Sequence, residues 1–134
     1  MKKLVLPLKK EWYDMIASGV KPEEYRVIKW YWFRRLFYYG DLESWSMVNA
    51  MMTAFTHGQD IEEWKHEFHI SPRVNQKATN DYTHVEFTLG YPKKDDNERR
   101  MLFELNGIEI RQGRTEWGAP EGKNVFVLKL GRRV

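Results

Sequence analysis

The chain of 134 residues contains no cysteine. That removes disulfides, thiolate nucleophiles and cysteine metal ligands together, and it suits a reducing cytoplasm. No apolar run approaches the roughly 20 residues that a membrane-spanning helix needs. The opening Met1-Lys2-Lys3-Leu4-Val5-Leu6-Pro7-Leu8 carries too short an apolar stretch for a secretory signal. The expectation is a soluble cytoplasmic protein with no membrane partner. Phosphate-cradling glycine loops, dinucleotide fingerprints and serine elbows are missing too, which leaves no motif for nucleoside-triphosphate, dinucleotide or serine-hydrolase chemistry. Without an internal repeat or a low-complexity tract, a chain of this length reads as one domain over residues 1–134 with a single core.

Charge is present and unevenly spread. Residues 1–39 hold 9 Lys+Arg against 4 Asp+Glu, residues 40–98 hold 5 against 11, and residues 99–134 hold 8 against 4. If the two ends meet in the fold they form a basic surface, and the middle segment forms an acidic one. A basic face is the electrostatic footprint of a polyanion binder, although a solvated surface gives the same asymmetry.

The most informative stretch is Gly19-Val20-Lys21-Pro22-Glu23-Glu24-Tyr25-Arg26. Leu8, Trp12, Met15 and Ile16 follow helical spacing and predict a short amphipathic helix from about Lys9 to Ser18, with Gly19 as its left-handed stop and Pro22 forbidding continuation. Beyond it Glu24, Arg26 and Ile28 alternate with Tyr25 and Val27, so in a strand the carboxylate and the guanidinium share a face. Lys21 stands just before them on a restrained backbone, free to reach a phosphate; desolvated among other cations, a lysine in this place can act as a general base instead. Glu24 and Arg26 either hold each other as an ion pair or take a base edge and a phosphate between them.

Coarser patterns complete the order. Lys3 to Leu8 reads as a first strand. Residues 30–39 hold seven aromatics. Trp30, Phe33 and Phe37 fall at helical spacing and read as core, which leaves Tyr31, Trp32 and Tyr38 as edge contacts beside Arg34 and Arg35. Two helical stripes follow, Leu42 to Phe55 behind an Asp41 cap and Ile61 to Phe68 behind an Asp60/Glu63 capping box, and they predict a two-helix insert at about 41–69. On its second helix Glu62, His66 and His69 share a face and would suit zinc. They lie far from the Lys21 motif and read as a solvated face, so no metal and no cofactor is expected. From Tyr82 the period changes to two, with a charged tip at Lys93–Glu98, a turn or bulge at Asn106-Gly107 and a last strand Asn124–Leu130. The loop Arg114-Thr115-Glu116-Trp117-Gly118 supplies a cation, a hydroxyl, a carboxylate and an aromatic face, enough to hold an unpaired base; alternatively Trp117 plugs one end of the structure.

The spacing Gly-x-Lys-x-x-Glu-x-Arg behind a helix resembles the ASCH family of the PUA-like superfamily. The stretch Gly113 to Pro120 followed by Val125 to Gly131 is similar to the C-terminal end of bacterial and phage members. The likeness covers roughly residues 3–39 and 82–131, whereas 40–81 has no counterpart. It implies an α+β, PUA-like fold, a small mostly antiparallel β-barrel with flanking helices, to which the patterns add the two-helix insert. It also implies RNA or a modified nucleobase or nucleoside as partner. Lys21, Glu24, Arg26, Arg114, Glu116 and Trp117 are then the ligand-binding candidates, and they must converge on one water-accessible hollow.

The resemblance carries a second expectation, hydrolysis of an N-acylated nucleoside or of an RNA phosphodiester, with Lys21 and Glu24 catalytic. One family activity removes the acetyl group of N4-acetylcytidine with the motif lysine and a threonine three positions on. The lysine maps to Lys21, but the threonine position is Glu24 here, so the hydroxyl nucleophile is missing and a carboxylate would have to activate water. A third expectation, protein recognition through the insert, is independent of the motif.

Overall fold

The computed structural model describes residues 1–37 and 82–134, and between them only residues 46, 49, 50, 52–54 and 57. Alternation decides the strands. Leu4, Leu6 and Leu8 are buried while Lys3, Val5 and Pro7 are less so, and strand β1 runs Lys3–Leu8. Helix α1, Lys10–Ala17, follows; its buried residues are Tyr13 and Ile16, with Trp12 and Met15 only half-buried, so Leu8 and Ile16 are buried as expected and Tyr13 joins them. Gly19 ends α1 with φ at 84°, the left-handed conformation that glycine adopts without a side-chain clash. The Lys21 N–H then donates to the Met15 carbonyl at 3.1 Å, turning the chain back alongside the helix.

Strand β2, Glu23–Arg26, comes next, and then helix α2, Trp30–Leu36. Phe33, Leu36 and Phe37 are buried, whereas Trp30 is 46% exposed. Trp30 therefore leaves the core that helical spacing assigned to it, and Leu36 takes the place. The Phe33 and Phe37 rings stand 5.1 and 5.6 Å from that of Phe126, which docks α2 on the sheet. Strands β3 (His84–Leu89), β4 (Arg100–Gln112) and β5 (Asn124–Arg133) complete the sheet. Asn106-Gly107 makes no turn: β4 runs through it as one strand, with register shifts around Leu105 and Gly107 that mark a bulge.

The strand order is β1-β3-β4-β5-β2, with β1 parallel to β3 and the other three pairings antiparallel. This is an α+β fold whose five-stranded mixed sheet curls into a half-barrel. The parallel pair needs a long crossover, and residues 9–83 supply it. The main core lies on one face, where Leu6, Phe87, Ile110, Phe126 and Leu128 are fully buried. A smaller cluster of Tyr25, Ala119, Val125 and Val127 lies on the other face of β2 and β5. Pairing of β2 with β5 brings the two basic ends of the chain together, which is the condition for a shared basic surface. Most of the insert lies outside the described residues, as do Glu62, His66 and His69; Met52 is buried in the main core. Among the described residues, no helix is long and apolar enough to cross a membrane.

Candidate ligand-binding cleft

The four residues of β2 send alternate side chains to opposite faces. Glu24 and Arg26 stand opposite Leu128 and Phe126, on the face of the main core, while Glu23 and Tyr25 stand opposite Lys129 and Val127. A carboxylate on the core face has to be satisfied. Glu24 Oε1 accepts from Lys21 Nζ at 2.7 Å and from the Tyr25 N–H at 3.0 Å, and Oε2 accepts from Arg26 Nη1 at 2.8 Å. The backward turn after Gly19 delivers Lys21 to this point. Lys21 is 2% exposed and Glu24 3%. The ammonium also lies 4.8 Å from the Trp12 ring centroid and 5.4 Å from that of Tyr25, close enough for cation–π attraction to both.

These groups form the floor of a cleft of about 230 Å³ that is lined by Pro7, Leu8, Lys9, Trp12, Lys21, Glu24, Tyr25, Arg26, Trp117 and Gly118. Lys21, Glu24, Arg26 and Trp117 thus meet in one hollow. Trp117 arrives on a short 3-10 turn, Thr115–Trp117, which Gly118 ends at φ 98°. A side chain at Gly118 would place its Cβ 3.0 Å from the Trp12 ring, so this loop closes directly over α1. Arg114 and Glu116 do not line the cleft. Both are exposed, 3.5 Å apart, and the Arg114 guanidinium stacks on Trp117 with 4.7 Å between it and the ring centroid. The loop therefore contributes an aromatic wall with a cation behind it, and no carboxylate.

Lys21 is no free arm. Its ammonium is enclosed and committed to Glu24, and the more accessible cation of this cluster is Arg26, whose side chain is 18% exposed and whose guanidinium packs 5.2 Å from the Trp32 ring centroid. Across the cleft lining three cations, Lys9, Lys21 and Arg26, face one carboxylate. The floor therefore favours an anionic or electron-rich ligand. Sequence reasoning missed Trp12, Tyr25 and Lys9. Trp12 was read only as part of the helix's apolar stripe; the signal that it belongs to the site is the Gly19 reversal, which lays Lys21 back against the helix carrying it.

On the other face a second ionic network holds the Trp117 loop in place. Arg111 grips Glu23 through its two terminal guanidinium nitrogens at 2.8 and 3.0 Å and donates from Nε to Glu109 at 2.8 Å, while Lys129 pairs with Glu109 at 3.0 Å. The Tyr25 hydroxyl donates to Glu23 at 2.6 Å and accepts from the Arg114 N–H at 3.1 Å, which ties the loop to β2. Burial pushes the Glu23 carboxyl up, but the hydrogen bonds from Arg111 and Tyr25 outweigh it and hold the group below its usual range. Glu109 behaves alike: burial opposes, and Arg111 and Lys129 prevail. Burial, reinforced by the bond to Glu23, raises the Tyr25 phenol above its ordinary value. The hydrogen bond to Glu23 raises Arg111 as well, against its burial.

No family model, curated protein or solved structure matches this chain. The geometry has to carry the functional reading. Among the described residues no cluster of His, Asp and Glu is arranged to hold a metal ion.

Proposed function

We propose that the chain is an ASCH-type domain of the PUA-like superfamily, working in the cytoplasm, whose cleft binds RNA or a ligand containing a nucleobase. One observation carries this reading: a buried Lys21–Glu24 pair joined by the partly exposed Arg26, with an excess of positive charge, forms the floor of an open hollow walled by Trp12 and Trp117. Desolvating such ions offsets much of their attraction, so an ion cluster of this kind is weak evidence for stability, and its opening onto a tryptophan-walled cleft supports ligand recognition. At about 230 Å³ the hollow lies below the roughly 300–1,000 Å³ of sites that take drug-sized ligands, and a single base fits that scale better than an extended molecule. Tryptophan faces and arginine are what an unpaired base stacks on.

Hydrolysis is the weaker reading. Both oxygens of Glu24 already accept hydrogen bonds, three in all, and its position offers no hydroxyl nucleophile. A carboxylate so engaged is a poor activator of water.

The test is a titration of single-stranded RNA against the wild-type protein and the Arg26→Ala variant over a range of salt. The wild type binds, Arg26→Ala binds more weakly, and the difference narrows as salt rises, with a slope of log affinity against log salt that is shallower by about 0.7 for one lost phosphate contact. Equal affinity of the two proteins at every salt concentration overturns the proposal.

A further inference from the structure

The cleft does not end at its own rim. Pro7, Leu8 and Lys9 also line an adjoining hollow of about 460 Å³ that runs on to Lys10, Gly90 and Tyr91. Tyr91 is 93% exposed, the most open of the large hydrophobic residues described. An aromatic ring on a loose loop would mean little, but this turn is fastened on every side. The Gly90 N–H donates to the Leu8 carbonyl at 3.0 Å, the Thr88 hydroxyl donates to the Gly90 carbonyl at 2.7 Å, and Arg100 donates to the Lys93 carbonyl at 3.0 Å. Pro92 restricts the backbone immediately after Tyr91. The phenol ring is thus projected from a fixed base into solvent, at the edge of a hollow that shares Pro7, Leu8 and Lys9 with the cleft.

The lysines between the two hollows differ. Lys10 is committed to Asp14 at 2.5 Å, whereas Lys9, which lines both hollows, forms no ion pair with any described residue. A cation between a tryptophan-walled cleft and a hollow edged by the Tyr91 ring matches the spacing pattern of a nucleic-acid single strand, in which a phosphate separates two stacking bases.

Resting on the reading of the cleft given above, we infer that the second hollow is a stacking subsite for a neighbouring nucleotide, with Tyr91 as its platform and Lys9 on the linking phosphate, so that the ligand is a single-stranded oligonucleotide rather than a lone nucleoside. Tyr91 is almost wholly exposed, so replacing it removes no buried packing.

Calorimetric titration with the four nucleoside 5′-monophosphates and with short mixed-sequence ribo-oligonucleotides tests it. Stacking of one extra base makes the wild type bind the oligonucleotides about tenfold more tightly than the best monophosphate. Tyr91→Ala removes that gain and leaves monophosphate binding unchanged; Tyr91→Phe keeps it, since stacking needs no hydroxyl. Lys9→Ala weakens the oligonucleotides more than the monophosphate. If Tyr91→Ala binds the oligonucleotides as the wild type does, while the monophosphate still binds and is weakened by Arg26→Ala, the subsite is overturned and the cleft reading stands. If the wild type binds neither ligand, both are overturned.

Discussion

One short strand carries two ionic networks, and they are built on opposite principles. On the outer face of β2, Glu23 and Glu109 face Arg111 and Lys129, two carboxylates against two cations, with the bidentate Arg111–Glu23 pair at the centre. On the inner face Glu24 alone faces Lys21 and Arg26. The outer network is partly open to solvent and balanced, and it ties β2 to β4, to β5 and to the Trp117 loop. The inner one is enclosed except for Arg26, unbalanced, and ends in a cleft. Balance suits a fastening. An excess cation at the floor of a hollow leaves a net positive charge there among the described residues, which suits the proposed anionic ligand.

The comparison is broken most directly by removing one carboxylate from each face. Glu24→Gln leaves the buried Lys21 ammonium without a counter-charge and is expected to cost about 3–5 kcal/mol in denaturant unfolding. Glu23→Gln disrupts a pair screened by solvent and is expected to cost about 1–2 kcal/mol, mainly through weakened hydrogen bonds. Equal losses would mean that the two networks do the same work. Replacing the inner pair together, Lys21→Met with Glu24→Leu, sharpens the point. Stability should return toward the wild-type value, as it does when buried ion pairs give way to apolar residues of similar size, while RNA binding is lost. A double variant that remains as unstable as Glu24→Gln would make the pair architectural.

The strands and helices of the described chain were legible because burial writes its period into the sequence. Leu4-Leu6-Leu8, Val85-Phe87 and Met101-Phe103 alternate as half-buried strands must. The face shared by Glu24 and Arg26 followed from the same period. Trp30 was read wrongly, and the cleft-facing side of Trp12 went unread, for a common reason: helical spacing gives a stripe but not its width, and a residue at the stripe's edge can face solvent, core or cleft. The enclosure of Lys21 was illegible. It depends on the Lys21–Met15 backbone bond and on two aromatic rings, one nine residues earlier and one four later, that no local pattern connects. Nor could the exclusion of Arg114 and Glu116 be foreseen, since a 3-10 turn decides which of three consecutive side chains points inward.

Acid separates the networks by a smaller margin. Glu23 and Glu109 titrate below their usual range in the folded protein, although burial opposes this, because Arg111, Tyr25 and Lys129 hydrogen-bond the charged forms. A depressed carboxyl contributes stability that is fully present above the unfolded value of about 4.3 and is lost as pH falls through the folded value. Unfolding free energy measured from pH 6 downward should therefore decline below about pH 4.5, and the decline should be shallower in Glu23→Gln. An identical acid limb in that variant would remove the outer network from the account.

The smallest expected effect sits where the two faces meet. The Tyr25 ring lies against Lys21 in the cleft, while its hydroxyl belongs to the outer network through Glu23 and the Arg114 N–H. Tyr25→Phe keeps the ring and removes the hydroxyl, so it should cost about 1 kcal/mol. It should also alter the alkaline limb. Burial first, and then the bond to Glu23, raise the phenol in the folded state, so its contribution is complete below the unfolded value of about 10 and fades as pH rises beyond it. The wild type should lose stability above that pH more steeply than Tyr25→Phe. If the hydroxyl holds the Trp117 loop at the cleft, the variant also weakens RNA binding although the ring beside Lys21 is intact. If instead binding is unchanged while the alkaline limb flattens, the outer network fastens the sheet without positioning the aromatic wall.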